Sequence, residues 1–441
     1  MRFNRSRQYI AAAAIADFGG GGHKDRSMQW DAIIIGAGAA GLWAAGTAAE
    51  RGRRVLLLEK NSKSGVKILM SGGTRCNVTH DCDNRRIAEA FGRAGRALLG
   101  PLSQMSPAQV RQIFTDLGVE TKVEETGKVF PVSDRAIDVR DALLHRFERA
   151  GGSVRNHAAA TDVDYSENAF TVTVGGEAIR ADRVLITTGG LSYSGCGTTG
   201  DGYAWAEKFG HTITPRRPAL TPLVSSAAWV HELSGLTLDD VAVQARVSGS
   251  PKQDGKLERS ASRGGFLWTH FGCSGPTAMN VSRCFSDLPS FKETAVQIDV
   301  LPDEAEPQLL EWLAQSQRDA GQRSVGAVLH QRLPKRVVGL ILGRSGVEPE
   351  RRMAELPKKA VQAIVEHSKR LTVPVHGTRG YPKAEVTAGG VVLAEVNFQS
   401  MESRLRPGLF FAGEILDLDG PIGGFNFQAA WATGHVAGMS L

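Results

Sequence analysis

At 441 residues, 42% hydrophobic and 22% charged, the chain has the balance of a folded globular protein, which excludes a disordered polyelectrolyte. At about 150 residues per domain, the length predicts two or three domains. The net charge of +6 is thin: residues 1–30 carry five basic and two acidic side chains, leaving +3 over the other 411. No polyanion is therefore expected, and the predicted partners are a small-molecule substrate, with neither nucleic acid nor membrane. Five cysteines (Cys76, Cys82, Cys196, Cys273, Cys284), odd in number and without a C-x-x-C pair, argue against a disulfide framework and for a reducing, cytoplasmic setting. Cys76, His80 and Cys82 match no common zinc spacing, so no metal is expected. Glycine stands out at 51 residues, above its usual share of about 7%, and predicts many tight turns and close backbone approaches.

In chain order, residues 9–18 form a short alanine-rich run after an arginine-rich start, a poor copy of an export signal. Residues 1–28 read as a disordered leader or as an over-long start before Met28. The uncharged run 32–49 reaches the length of a marginal membrane span, but its four glycines favour strand, turn and helix. Asp31–Ile35 predicts a buried strand, Ala39–Arg51 a helix and Arg53–Glu59 a second buried strand, which together make a β-α-β unit. A polar loop is expected at 70–80, and helices near 85–99, 106–117 and 137–150. Strands follow over 153–187. Residues 212–300 read as strands, with Val241, Val243, Ala245 and Val247 alternating. Residues 303–370 turn helical, with breakers at Pro334 and Pro357, and 380–441 returns to glycine-rich turns around short strands.

The strongest motif is Gly36-Ala-Gly38-Ala-Ala40-Gly41, directly after the first strand. Its first glycine permits a tight turn, its second lets a pyrophosphate approach the backbone, and its third lets helix and strand pack closely. The helix N-terminus adds free N–H groups and a positive dipole end. Glu59, 18 residues past Gly41, stands where a carboxylate accepts ribose hydroxyls and disfavours a 2′-phosphate. Gly195-Cys-Gly197-Thr-Thr-Gly200 has the same spacing but does not directly follow a strand, and it reads as a loop. Ser71-Gly72-Gly73-Thr-Arg75-Cys-Asn77 can lay N–H groups and a guanidinium against a phosphate or a ring edge, or can be an ordinary surface loop. Near the C-terminus, Gly413-Glu414 ends a short strand, and Gly423-Gly424-Phe425-Asn426 opens an alanine-rich helix. This again offers donors to a group that becomes anionic.

These segments carry a resemblance to a known family. GAGAAGL with Glu59, VKILMSGGTRCNVTH, RVLITTGGLSYSGCGTTGDGYAWAEKFGH, RPALTPL, FLWTHFGCSGP, KAEVTAGGV and GLFFAGEILDLDGPIGGFNFQAAWATG occur in order between about residue 29 and the C-terminus. The chain resembles the FAD-dependent oxidoreductases of aminoacetone oxidase-like and 3-dehydro-bile-acid-reductase-like type. The resemblance implies an α/β fold: a discontinuous glutathione-reductase-like FAD-binding Rossmann domain with inserted β-barrel-like and small helical modules. The expected divisions are 1–28 leader, 29–210 FAD domain, 211–302 β-rich insert, 303–372 helical insert and 373–441 FAD domain again. Carried over, Gly36, Gly38, Ala40, Gly41, Glu59 and Lys60 would hold the ADP half. Lys67, Ser71, Gly72, Gly73, Arg75 and Asn77 would line the FAD. Gly189, Gly190, Gly413, Glu414, Gly423, Gly424, Phe425 and Asn426 would hold the ribityl and ring portions. Ser194 and Cys196 depart from the family's pattern at the substrate mouth.

Substrate is expected between Thr387–Gly390 and the insert, where a hydride passes between flavin N5 and a carbon. Tyr193, His270 and Lys383 are the candidates to steer it or move a proton, though each also fits an ordinary structural or surface role. The leading expectation is an oxidase taking an amine or aminoketone, with dioxygen as acceptor. The alternatives are a reductase of an activated C=C bond, with NAD(P)H as transient reductant, and a non-enzymatic flavin-holding RNA-binding protein.

Overall fold

The computed structural model describes residues 29–247, 261–286, 288 and 290–441; the expected leader, 1–28, lies outside them. Strand β1 (Trp30–Ile35) is buried from Ala32 to Ile35, as its unbroken apolar run requires. Helix α1 (Ala39–Glu50) and strand β2 (Val55–Leu58) follow, with β1 and β2 parallel and Ile33 opposite Leu56. On its other side β1 pairs in parallel with Glu177–Ile186, which in turn pairs in parallel with Leu409–Phe411. The C-terminal part of the chain thus completes a sheet begun at the N-terminus. Ser153–Arg155 extends this sheet beyond β2, and the hairpin Ala160–Ser166/Ala169–Val174 joins it alongside Glu177–Ile186.

The C-terminal helix Phe425–Ser440 lies against α1, and both are buried almost all round. Their small residues allow this contact: a Cβ on Gly434 would stand 2.6 Å from Ala40 O, and one on Gly438 2.5 Å from Ala44 O. Trp43 packs against Trp431 at 5.3 Å, and the Trp431 indole N–H donates to Val78 O at 2.8 Å.

A second sheet of seven strands, paired antiparallel, runs in the order 371–374, 294–299, 237–247, 261–269, 272–274, 223–224 and 377–378. Helices Glu306–Asp319, Val325–Leu329, Lys335–Arg344 and Lys358–Lys369 share its core, where Val243, Trp268 and Ile298 meet Leu313, Ile341 and Ile364. Pro334 and Pro357 stand at helix starts, where a missing N–H costs nothing. Within the expected strand region, Pro276 opens the helix Pro276–Val281 in the same way. The chain crosses between the two units twice, and the crossings pair as Arg217–Ala219 with Val386–Ala388. Among the described residues no helix is long and apolar enough to cross a membrane, and no group of acidic, histidine or cysteine side chains is placed to hold a metal.

Candidate functional site

The three glycines after β1 have three different surroundings. Gly36 has φ +106°, and a Cβ there would stand 2.6 Å from Thr187 O. A Cβ on Gly41 would stand 1.9 Å from Gly36 O, so that residue seals helix to strand. Gly38, the residue capping α1, has nothing within 4 Å of a Cβ position, and the open space lies at the helix N-terminus. Beside it Glu59 accepts from Ala37 N–H at 3.0 Å and from both Asn61 N–H and Asn61 Nδ2 at 2.8 Å. Lys60 is engaged by Asp201 at 2.6 Å.

A second group is assembled from distant parts of the chain. Lys67 Nζ lies 2.6 Å from Glu414 Oε2 and 2.9 Å from Ser192 Oγ. Glu414 Oε1 accepts from Ser192 Oγ at 2.7 Å and from Thr387 N–H at 3.0 Å. Thr387 Oγ1 accepts from the N–H groups of Leu191 and Ser192. Gly190 must be a glycine here, since a Cβ would stand 2.4 Å from Thr387 Oγ1. Gly189 and Gly413 are left-handed, with Gly413 lying over Ala40.

Gly423 and Gly424 are also left-handed and lead into the C-terminal helix, whose N-terminus opens on the same space. The Asn77 amide oxygen accepts from Gly424 N–H at 3.0 Å, while its nitrogen donates to Thr79 O at 2.9 Å. Asn426 accepts from Gly420 N–H at 2.7 Å and so braces the loop that precedes the helix. Ser71 Oγ donates back to Ile68 O at 2.7 Å, ending a short helix where a plain loop was expected, and Gly72 and Gly73 are left-handed beyond it.

Together these residues surround a cleft of about 820 Å³ that reaches from Glu59 to Leu267 on the second sheet and to Pro276 and Met279 on the helix Pro276–Val281. Of the expected cofactor contacts, Gly36, Gly38, Ala40, Glu59, Lys60, Lys67, Ser71, Gly72, Gly73, Arg75, Asn77, Gly189, Gly413, Glu414, Gly423, Gly424 and Asn426 line it. Gly41 and Gly190 stand behind the wall and act through packing. Phe425 turns away to stack on His80 at 4.8 Å. The Arg75 guanidinium is drawn to Glu124 at 2.7 Å and lies over Phe130, rather than reaching for an anion.

Tyr193 also lines the cleft, in a left-handed conformation. Burial, with the nearby Glu385 carboxylate, pushes its phenol above the usual range. His270 and Lys383 do not line the cleft: His270 occupies an exposed turn between Ala261–Thr269 and Gly272–Ser274, and Lys383 is exposed in the turn Tyr381–Lys383. Their expected reach to substrate came from neighbouring motif residues, and the turns carry them outward. The sequence reading missed Asn61, Thr198, Lys128, Phe130 and Glu385, all on the cleft wall. Glu385 had a local signal, an acid between the apolar residues Ala384 and Val386; Lys128 had none. The loop Gly195–Gly200, set aside as a false fingerprint, lines the same cleft at Cys196, Gly197 and Thr198, and Asn61 Nδ2 holds it by donating to Cys196 O at 2.9 Å.

The fit to a flavin dinucleotide follows from these contacts. Open space lies at Gly38, the Glu59 carboxylate is steadied at the end of β2, and a second helix start opens on the far side. A model of the HI0933-like protein Rossmann domain matches residues 30–440. The chain is 33% identical over 416 residues to the ribosomal RNA dihydrouridine synthase of Escherichia coli (strain K12), covering 94% of this chain and 98% of that protein. It is 29% identical over 410 residues to the 3-dehydro-bile acid delta(4,6)-reductase of Clostridium scindens, covering 92% and 98%. Among solved structures, a 3-ketosteroid-delta4-(5alpha)-dehydrogenase from Rhodococcus jostii RHA1 aligns with a TM-score of 0.49 at 14% identity, over 95% of this chain and 98% of that one.

Proposed function

The chain belongs to the HI0933-like Rossmann family and is an FAD-dependent oxidoreductase, and from that premise we propose that it reduces the C=C bond of a uracil ring in ribosomal RNA. Two relatives named as ribosomal RNA dihydrouridine synthases, from Escherichia coli and Haemophilus influenzae, each align over 94% of this chain, and they support an RNA substrate over a small amine. The reductase named for a bile acid supports the same bond chemistry, because both names describe saturation of a ring.

The observation that carries the reaction class is Lys128. It lines the cleft and makes no ion pair among the described residues. A free ammonium is suited to a carbonyl oxygen that gains negative charge in the transition state. FAD, when bound and reduced, supplies a hydride equivalent. Tyr193 lines the same cleft with its phenol pushed above the usual range by burial, and in this reading donates a hydrogen bond to the ring. Leu267, Pro276 and Met279 supply apolar wall from the second unit, which in this reading helps exclude water from the reacting face. NAD(P)H is the reductant in this reading: with one proton it provides the two electrons and two hydrogens that each double bond takes up.

The low net charge leaves RNA binding to local groups. Arg216, Arg217 and Lys383 lie on or beside the two segments that cross between the units.

The test is anaerobic mixing of the yellow holoenzyme with NADH or NADPH, then addition of unmodified ribosomal RNA. Bleaching, return of colour on RNA addition and two added hydrogens per modified uridine by mass spectrometry are expected. Failure of both nicotinamides to bleach the flavin, with bleaching by aminoacetone instead, would replace this reading with the amine oxidase.

A further inference from the structure

Among the described residues four carboxylates line the cleft, and three of them are satisfied. Glu59 accepts three N–H bonds, Glu414 is bonded by Lys67, Ser192 and Thr387, and Asp201 is paired with Lys60. The fourth, Glu385, makes no side-chain hydrogen bond and no ion pair among the described residues. Its backbone is firmly placed: its N–H donates to Leu220 O at 3.0 Å, and Thr387, two residues on, is bonded to Leu191, Ser192 and Glu414. The side chain is enclosed by protein yet open to the cleft. An enclosed carboxylate without a donor is costly as an anion and favours its acid form. The charged and titratable groups facing it are Lys67 from Val66–Met70, itself committed to Glu414, Lys128 from Lys128–Pro131, and Tyr193 from the loop before Ser194–Cys196. Burial outweighs the two lysines and pushes the carboxyl above its ordinary range.

We propose that Glu385 is the general acid of the substrate-reducing half-reaction, delivering its proton to the ring carbon next to the carbonyl. This deepens the reductase reading and rests on it. As the hydride equivalent arrives at the far carbon of the double bond, the C=C π bond breaks and its electron pair moves toward the carbonyl. The Glu385 O–H bond then breaks, a C–H bond forms at the near carbon, and solvent returns a proton to the carboxylate. Tyr193 holds the substrate beside it without giving up its own proton, since its phenol is the far weaker acid.

Stopped-flow measurement on the holoenzyme separates the two half-reactions. NAD(P)H-reduced protein is mixed anaerobically with a ribosomal RNA transcript and, separately, with cyclohex-2-enone. For Glu385→Gln we expect FAD content and nicotinamide bleaching as in wild type, with reoxidation slowed by about 10²–10⁴-fold with either acceptor. The wild-type rate should fall as pH rises through the Glu385 pKa. That limb should vanish in Glu385→Gln, return in Glu385→Asp and persist in Tyr193→Phe. Reoxidation of Glu385→Gln at the wild-type rate, retention of the pH limb, or loss of FAD from the variant would each overturn the assignment. A wild type that reduces cyclohexenone but not RNA removes the RNA reading and leaves Glu385 under test. A wild type that reduces neither removes both.

Discussion

Glu59 and Glu414 each take three hydrogen-bond donors from the protein, while Glu385 and Lys128, on the same cleft, make no side-chain hydrogen bond or ion pair among the described residues. The first pair stands where our reading puts the dinucleotide, and the second where it puts the substrate. A group that meets the same cofactor in every turnover gains from being held in one geometry beforehand, and donors supplied by the protein do that. A group that acts on a transient substrate must keep a lone pair or a proton free, and the cost of leaving it unpaired is borne by the fold.

The comparison breaks first at Gly38. Because nothing occupies the space beside it, Gly38→Val should fold normally yet lose FAD affinity by more than about 100-fold, or roughly 3 kcal/mol. Colourless protein with an unchanged apo melting temperature would bear this out, whereas a fully loaded variant would show that the pyrophosphate lies elsewhere. Gly41→Ala tests the opposite case, since its Cβ meets Gly36 O at 1.9 Å; it should cost about 1–3 kcal/mol of stability with or without FAD, seen as a lowered melting temperature.

Glu414→Gln sharpens the contrast between paired and unpaired acids. It leaves Lys67 without its carboxylate and should destabilise the apo protein by about 1–3 kcal/mol. Glu385→Gln removes an acid with no donor and should not destabilise. Because the Glu385 pKa is raised in the folded state, that state holds its proton more tightly than the unfolded chain does. Stability from this group is present below the ordinary carboxylate range and lost as pH rises through the raised pKa. The melting temperature of Glu385→Gln should therefore gain on wild type across that window; parallel curves would count against an unpaired carboxyl.

The smallest effect is expected outside the cleft, at His435. Burial, with Arg146 nearby, lowers its pKa to about 4. The unfolded chain then takes up a proton first as pH falls from about 6.5, so stability declines between there and about 4. His435→Gln should flatten that decline in acid denaturation curves, and an unaltered slope would place the titration elsewhere.

Part of this cleft was legible in the sequence because its causes are local. The order strand, glycine turn, helix, strand predicted β1, α1 and β2 to within two residues at their ends, and the spacing of Gly36, Gly38 and Gly41 already implied three different surroundings. Gly423 and Gly424 before the C-terminal helix were readable for the same reason. What was not readable was which charged side chain meets which. Lys67 and Glu414 are 347 residues apart, and Arg75, in a loop suited to an anion, is drawn to Glu124 instead. His270 and Lys383 sit beside cleft-lining motifs but on turns that point outward.

The sequence by itself determined the dinucleotide-binding half of this protein, since left-handed turns, helix starts and buried strands depend on the backbone preferences of a few consecutive residues. Only the tertiary structure decided which ionisable groups are left unbonded. Pairing depends on distances between segments that the two crossings of the chain bring together, and at this cleft those distances satisfy Glu59 and Glu414 while leaving Glu385 and Lys128 open to whatever enters.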